Sequence, residues 1–374
     1  MPPGPHLPGG TLHVTFTHPL DTIERVPLVC LLEITRRCNL RCVHCESRCG
    51  EASPGELSDG EIHTVAEGLR RLGCETIDVT GGEPLLRTGW DTLCARFVEL
   101  GFNVALVTNG TLFTPDRREQ ARAAGIKAIG LSLDGLQTTH DGIRGPGFSA
   151  GSPFHLAVAG LEQALPHFQT TVITQVNKRN LPELPRLHSF LRGVGVARWQ
   201  LQLCIPVGRV RDLAEPFVLD PSDLETLTNF IVERNEGGGP LRIDTSDSIG
   251  YYTRREPRLR NGGQGGYWTG CQAGIRSVAI TYDGKVRGCS ALPPEFDAGD
   301  LHTESIEAIW RDTGRFAYTT RYDHRKLTGN CARCQVGALC RAGCTTMAYW
   351  TTGTIHENPY CLHGLAQEAP CPSR

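Results

Sequence analysis

Residues 38–45 read Cys-Asn-Leu-Arg-Cys-Val-His-Cys, which sets Cys38, Cys42 and Cys45 in a C-x3-C-x2-C spacing. Three thiolates at this spacing can hold three irons of a cubane cluster and leave the fourth iron open; four thiolates would close the cluster and suit it to electron transfer. An open iron can bind a small molecule and do chemistry on it. The apolar run Val26–Thr35 directly upstream reads as a buried strand, so the three thiols lie on the loop that leaves its C-terminal end. A zinc site completed by His44 or Cys49 is the competing reading of the same residues.

Working outward, strand and helix patterns alternate. Ser58-Asp59-Gly60-Glu61 has the form of a capping box, and Ile62, Val65, Ala66, Leu69 and Leu72 follow at helical spacing. Further strands are expected at Thr76–Thr80, Asn103–Thr108, Ala128–Leu133, Thr170–Val176 and Trp199–Ile205, with helices at Gly89–Leu100, Pro115–Ala124, Pro153–Leu165 and Leu181–Gly193. Such alternation implies a parallel sheet with helical crossovers. The expected fold is α/β: a partial (β/α)6 TIM-like barrel with its chemistry at the C-terminal strand ends. Asp220-Pro221-Ser222 opens one more helix to about 236, residues 237–270 are Gly- and Arg-rich and read as a connector, and Cys271 begins a cysteine-rich, small α+β region. The expected boundaries are 1–25 for a poorly ordered lead-in with a short strand at Leu12–Phe16, 26–215 for the barrel, 216–270 for helix and connector, 271–365 for the cysteine-rich domain and 366–374 for a tail.

Composition narrows the class. With 39 % hydrophobic and 21 % charged residues in 374, a core of ordinary size is available, so metal is not needed merely to hold a small fold together. Lys and Arg number 38 against 40 Asp and Glu, a net charge of −2 that favours neither a nucleic-acid nor a membrane-surface partner. No signal peptide or membrane span is legible. Sixteen cysteines gathered in tight clusters suit metal ligation better than disulfides, so a reduced, cytoplasmic setting is expected.

Three further motifs fall at strand ends. Gly81-Gly82-Glu83-Pro84 follows the second strand, where glycines allow close backbone approach. Ser132-Leu133-Asp134-Gly135 ends the fourth, and Arg144, suited to gripping a carboxylate in a forked contact, comes soon after. Asn109 is expected to shape its loop in left-handed geometry rather than touch substrate. Gln175, Asn177, Gln200 and Gln202 are candidate barrel-interior amides.

With these motifs the chain resembles the radical S-adenosylmethionine (radical SAM) superfamily. The resemblance implies that Cys38, Cys42 and Cys45 hold a [4Fe-4S] cluster whose open iron binds S-adenosylmethionine. Reductive cleavage to a 5′-deoxyadenosyl radical is then the catalytic step. It also implies that Gly81, Gly82, Glu83 and Pro84 meet the methionyl ammonium, that Ser132 and Arg144 meet its carboxylate, and that Asp134 meets ribose hydroxyls. Cys271 and Cys289 flank Gly284 as C-x12-G-x4-C, and Cys331-x2-Cys334-x5-Cys340-x3-Cys344 precedes Cys361. This pattern resembles the SPASM extension of that superfamily. By that likeness Cys331, Cys334, Cys340 and Cys361 hold a distal auxiliary cluster, and Cys271, Cys289 and Cys344 a nearer one, making three [4Fe-4S] clusters. Some relatives carry a fourth cysteine where this chain has Ser277, so the nearer cluster lacks an evident fourth ligand. Ser290 stands where aldehyde-forming relatives carry aspartate. A zinc ribbon is the competing reading of Cys331–Cys344. Cys74 and Cys94 are read as packed thiols, Cys204 as buried or as a hydrogen donor near the barrel mouth, Cys49 and Cys371 as close enough to the cluster segments to serve as ligands, and Cys30 is unassigned.

The expected activity is oxidative modification, above all crosslinking, of a ribosomally made precursor peptide. The precursor peptide, recognised by a separate leader-recognition protein or by direct docking of its leader, and a flavodoxin or ferredoxin reductant are the expected partners. The alternatives are a small-molecule enzyme acting on a sugar, nucleoside or tetrapyrrole side chain, a peptide epimerase, and a non-catalytic electron carrier.

Overall fold

In the computed structural model, which describes residues 18–246, 248–260 and 263–366, the strand leading to Cys38 is an interior strand of one continuous sheet. The strands are β1 (Val29–Glu33), β2 (Thr76–Thr80), β3 (Asn103–Thr108), β4 (Ala128–Ser132), β5 (Gln169–Val176), β6 (Arg198–Leu203), β7 (Arg242–Thr245), β8 (Ser277–Ile280), β9 (Lys285–Arg287) and β10 (Gly299–Asp300). Strands β1 to β7 pair in chain order, all parallel. The mostly parallel sheet with helical crossovers is the expected α/β architecture.

Two strands depart from expectation. The segment read as a connector contains β7, which pairs parallel to β6 from Arg198↔Arg242 to Leu201↔Thr245. On the other side, β8 from the cysteine-rich region pairs parallel with β1, from Val29↔Ser277 to Leu32↔Ile280. Antiparallel β9 and β10 extend the sheet beyond β8. The cysteine-rich region thus covers the edge of the barrel sheet that would otherwise lie open.

Side chains alternate between buried and less buried along β2 to β6. Along β5, Thr170, Val172, Thr174 and Val176 are buried, whereas Thr171, Ile173 and Gln175 are half-buried. The buried set faces the helices: on β6, Trp199 lies 6.2 Å from His188 and 6.0 Å from Phe230, both on flanking helices. The other set, with period two, lines the barrel interior. Asp78, Thr80, Val107, Ser132 and Gln175 belong to it, so the lumen is polar and only partly filled.

The Asp59–Arg71 helix starts with the expected box: Ser58 accepts from the Glu61 N–H, and Glu61 accepts from the Ser58 N–H at 2.8 Å. Of the lead-in, residues 1–17 with the expected Leu12–Phe16 strand lie outside the described residues. The remainder is tied down, against expectation. Pro19–Thr22 forms one helical turn, Asp21 pairs with Arg341 at 2.7 Å, and Arg25 donates to the carbonyls of Gly274 and Trp310 at 3.0 Å each. Among the described residues, no helix is long and apolar enough to cross a membrane.

Candidate active site

The cysteine loop leaves β1 and is clasped from below by the segment after β2. The Gly82 N–H donates to the Thr35 carbonyl and the Glu83 N–H to the Arg37 carbonyl, both at 2.8 Å. Gly81 has φ +151°, and a Cβ on it would collide with the Thr35 carbonyl; one on Gly82 would collide with the carbonyls of Arg36 and Arg37. Both glycines are therefore required by the approach of two protein backbones. From the far side, the Arg209 guanidinium donates to the carbonyls of Cys42 and Cys49.

Cys38, Cys42 and Cys45 line one cavity of about 220 Å³ together with Gly81, Gly82, Ser132, Arg144 and Gln175. Backbone N–H groups of Leu40 and Cys49 point at the sulfurs of Cys38 and Cys45, at 3.4 and 3.3 Å. Burial pushes the Cys38 thiol up to about 12 and Cys42 to about 11. A hydrogen bond from the Cys49 thiol draws Cys45 down, which gives Cys49 a place beside the triplet.

One side of the cavity is electrostatic. Asp134, fully buried, receives Arg144 Nε at 2.6 Å and contacts His44 Nε2 at 2.6 Å through one oxygen, and the Gln175 N–H at 2.9 Å through the other. Burial alone would raise this carboxyl; Arg144 and His44 overcome it and hold Asp134 well below the usual carboxylate range. Arg144 is held charged by the same contact, against the pull of its own burial. Both Asp134 oxygens are thus occupied and the residue does not line the cavity, which departs from the expected ribose contact. It is placed to aim Arg144.

Glu83 and Pro84 likewise do not line the cavity. Glu83 is fully buried and accepts from the Leu85 and Asn109 N–H groups and the Thr108 hydroxyl. Burial pushes its carboxyl up to about 7 despite these donors. It ties the loop after β3 to the loop after β2. Asn109 does shape its loop, exchanging hydrogen bonds with Asn39 and Thr111, but the left-handed residue is Gly110, φ +79°. Asn177 caps the turn after β5, accepting from the N–H groups of Arg179 and Asn180. Gln200 opens on a separate cavity with Arg198 and Asp244.

Sequence reasoning passed over Glu46. It follows Cys45, accepts from Gln175 Nε2 at 3.2 Å, and is pushed up to about 7, first by burial and then by Cys45 and Glu33. With Ser47 it forms the wall between the first cavity and a second one of about 510 Å³. That second cavity runs to Ser290 and Ala291, beside Cys289, and Arg48, Arg211, Arg287 and Trp350 line it.

In the cysteine-rich region, Cys331, Cys334, Cys340 and Cys361 line one enclosed site with Tyr251, Tyr252 and Asn358. Of the other three, Cys271 and Cys289 act on each other's charge, Thr346 at the start of the Thr345–Thr352 helix, whose cap is Cys344, donates to Cys289 Sγ at 3.7 Å, and Cys271 and Cys344 both pack against the Tyr251, Tyr252 and Trp268 cluster that also holds Cys340. Residues 32–150 match the family model described as Radical SAM superfamily, and residues 271–335 match that of the SPASM iron-sulfur cluster-binding domain. The chain is a radical SAM protein with a SPASM domain.

Curated relatives extend this likeness over nearly the whole radical SAM chain. The AdoMet-dependent heme synthase of Methanosarcina barkeri is 29 % identical over 91 % of this chain and 98 % of its own length. The mycofactocin maturase MftC of Mycobacterium ulcerans is 27 % identical over 96 % and 94 %. Among solved structures, anSMEcpe with bound AdoMet superposes with a TM-score of 0.70 at 17 % identity, covering 91 % of this chain and 95 % of that one, which bears on fold alone.

The residues present suit the groups that these domains imply, iron–sulfur clusters and S-adenosylmethionine. Three thiols share one cavity. Arg144 spends only Nε on Asp134, and Gln175 Oε1 is buried without a hydrogen-bond partner among the described residues. An unpaired buried amide oxygen and a fixed cation are what an ammonium- and carboxylate-bearing ligand needs. Of the remaining cysteines, Cys30, Cys74 and Cys94 are fully buried. Cys204 packs among Ile143, Val210 and Phe217, outside the first two cavities. Cys371 lies outside the described residues.

Proposed function

We propose that this radical SAM/SPASM enzyme removes hydrogen from a carboxylate-bearing tetrapyrrole held in the 510 Å³ cavity. The cavity itself carries this reading. Its volume suits a ligand of drug size or somewhat larger. It shares the Glu46–Ser47 wall with the cysteine triplet's cavity, and three arginines line it. Arg48 is engaged with Asp212 and Arg287 with Asp297, while Arg211 lies 5.6 Å over the Trp350 ring. A guanidinium beside a flat aromatic face suits a planar ligand with carboxylate arms. The match to a heme synthase over most of both chains points the same way.

In this reading Cys38, Cys42 and Cys45 hold the first cluster, and Gly81, Gly82, Ser132 and Arg144 border the S-adenosylmethionine site. When bound there, cluster and cosubstrate together supply a 5′-deoxyadenosyl radical. Asp134 fixes Arg144, Gln175 offers its amide oxygen to the ligand, and Glu46 separates cosubstrate from substrate. Cys331, Cys334, Cys340 and Cys361 would hold one auxiliary cluster and Cys271, Cys289 and Cys344 another, with a flavodoxin or ferredoxin as reductant.

The test is anaerobic turnover of reconstituted protein with dithionite, S-adenosylmethionine and a carboxylated iron porphyrin. Expected are 5′-deoxyadenosine release and a mass change in the porphyrin, in matched amounts. Arg211→Ala should raise the porphyrin KM about tenfold or more and leave substrate-free 5′-deoxyadenosine release unchanged. No porphyrin conversion by protein that cleaves its cosubstrate overturns the reading. The second reading, maturation of a precursor peptide with or without a leader-recognition protein, is favoured by the full-length likeness to a mycofactocin maturase. It predicts a mass change in a peptide encoded beside the gene, in the same assay.

A further inference from the structure

Cys271, Cys289 and Cys344 supply three ligands, and a cluster fully held by protein takes four. Ser277, at the position where some relatives have a fourth cysteine, is committed elsewhere: its hydroxyl donates to the Gly288 carbonyl at 3.1 Å. A different oxygen lies against the backbone beside Cys289. Tyr318 follows the short Thr313–Phe316 turn, and its ring packs edge-on against Phe296 at 5.1 Å. Its hydroxyl oxygen is shielded from solvent and makes no well-formed hydrogen bond among the described residues; the Gly288 backbone is the one group close enough to assist it. The Gly288 backbone lies directly beside it; a Cβ at 288 would collide with the hydroxyl and also with the backbone of Ala273 and Gly274. Residue 288 precedes Cys289, and Ala273 lies two positions after Cys271. After burial itself, the thiols of Cys271 and Cys289 are the groups acting most strongly on Tyr318.

A buried hydroxyl wedged against the backbone next to two of the cysteines, without a well-formed hydrogen bond, calls for an explanation, because a polar group in such a place ordinarily finds a full partner. We propose that the Tyr318 phenolate oxygen is the fourth protein ligand of the cluster held by Cys271, Cys289 and Cys344. The inference rests on the assignment of those three cysteines to a cluster. On ligation an iron–oxygen bond forms, the phenol proton leaves to solvent, and no electron changes hands. A cluster so closed has no free iron for substrate, so it serves electron transfer from the neighbouring 510 Å³ cavity.

The experiment uses full-length protein carrying Cys38→Ala, Cys42→Ala and Cys45→Ala, which removes the first cluster's signal. The chain is grown with ring-deuterated tyrosine, loaded anaerobically with iron and sulfide, reduced, and examined by pulsed ENDOR. Tyr251 and Tyr252 line the four-cysteine site and contribute weak deuterium couplings to every sample. The strong coupling of an iron-bound phenolate ring is expected on top of these in the parent and is lost in Tyr318→Phe, which keeps the ring against Phe296. Added imidazole should shift the g-values in Tyr318→Phe and leave the parent unchanged. Cys289→Ala separates the two claims. If it retains the parent's iron, the cysteine assignment fails; if it loses about four irons while Tyr318→Phe changes neither signal, tyrosine ligation alone fails. Should Tyr318→Phe not accumulate, a labelled parent that shows only the weak couplings of rings not bound to iron overturns the proposal by itself.

Discussion

At the scale of single residues, the ion pair between Asp134 and Arg144 decides how well the cavity can hold an anion. Asp134→Asn keeps the shape and the acceptor for the Gln175 N–H, and removes the charge that fixes Arg144. Charge-assisted hydrogen bonds of this kind are worth about 1.5–3 kcal/mol, so affinity for S-adenosylmethionine should fall about tenfold to a hundredfold. Equilibrium dialysis against reconstituted protein measures it; unchanged affinity would remove Arg144 from the binding site. The cavity-lining thiols, Gly81, Gly82 and Ser132 were legible because each ends or follows a strand whose pattern was clear, whereas Arg144 reaches the same cavity from the end of the Gln137–Arg144 helix. It did not reveal that Glu83 and Asp134 turn away from the cavity. A motif gives a residue's place on the chain, and only the neighbouring strands supply the N–H groups and cations that claim a carboxylate. Glu46 and Tyr318 carried no signal at all, since their importance comes from chain segments far away in sequence.

At the scale of elements, local rules predicted local structure well. The Ser58–Glu61 box starts its helix as read, and Ser58→Ala should cost about 1 kcal/mol, seen as a lower urea midpoint with unchanged slope. An unchanged midpoint would mean that packing of Ile62, Val65 and Leu69 alone holds the helix end. The strands β2 and β3 match their expected limits because each alternates cleanly between helix-facing and lumen-facing residues. Strand β7 was illegible for the opposite reason. It has four residues, of which only Ile243 is fully buried, and it lies in a Gly- and Arg-rich stretch with no apolar run. Its pairing with β6 comes from the sheet, and the sequence carries no local mark of it. The same holds for residues 18–25, whose anchors, Gly274, Trp310, Leu339 and Arg341, all lie about 250 residues or more away.

For the whole molecule, the parallel pairing of β1 with β8 makes barrel and SPASM domain one cooperative body. Leu32 and Ile280 face each other at the end of that ladder, and both are buried. Ile280→Ala should therefore cost about 2–5 kcal/mol, the usual range for emptying a core aliphatic site. The loss should not stay in the cysteine-rich region. Strand β1 carries the loop of Cys38, Cys42 and Cys45, and the Gly82 and Glu83 amides hold that loop to β2. Amide exchange should therefore quicken together in β1, β2 and β8 of Ile280→Ala, while two independent domains would show it in β8 alone. Retained protection in β1 and β2 would mean that the cysteine triplet is held by the barrel without help from its neighbour. Joint loss would mean that the SPASM domain sets the rigidity of the cavity that holds the cysteine triplet.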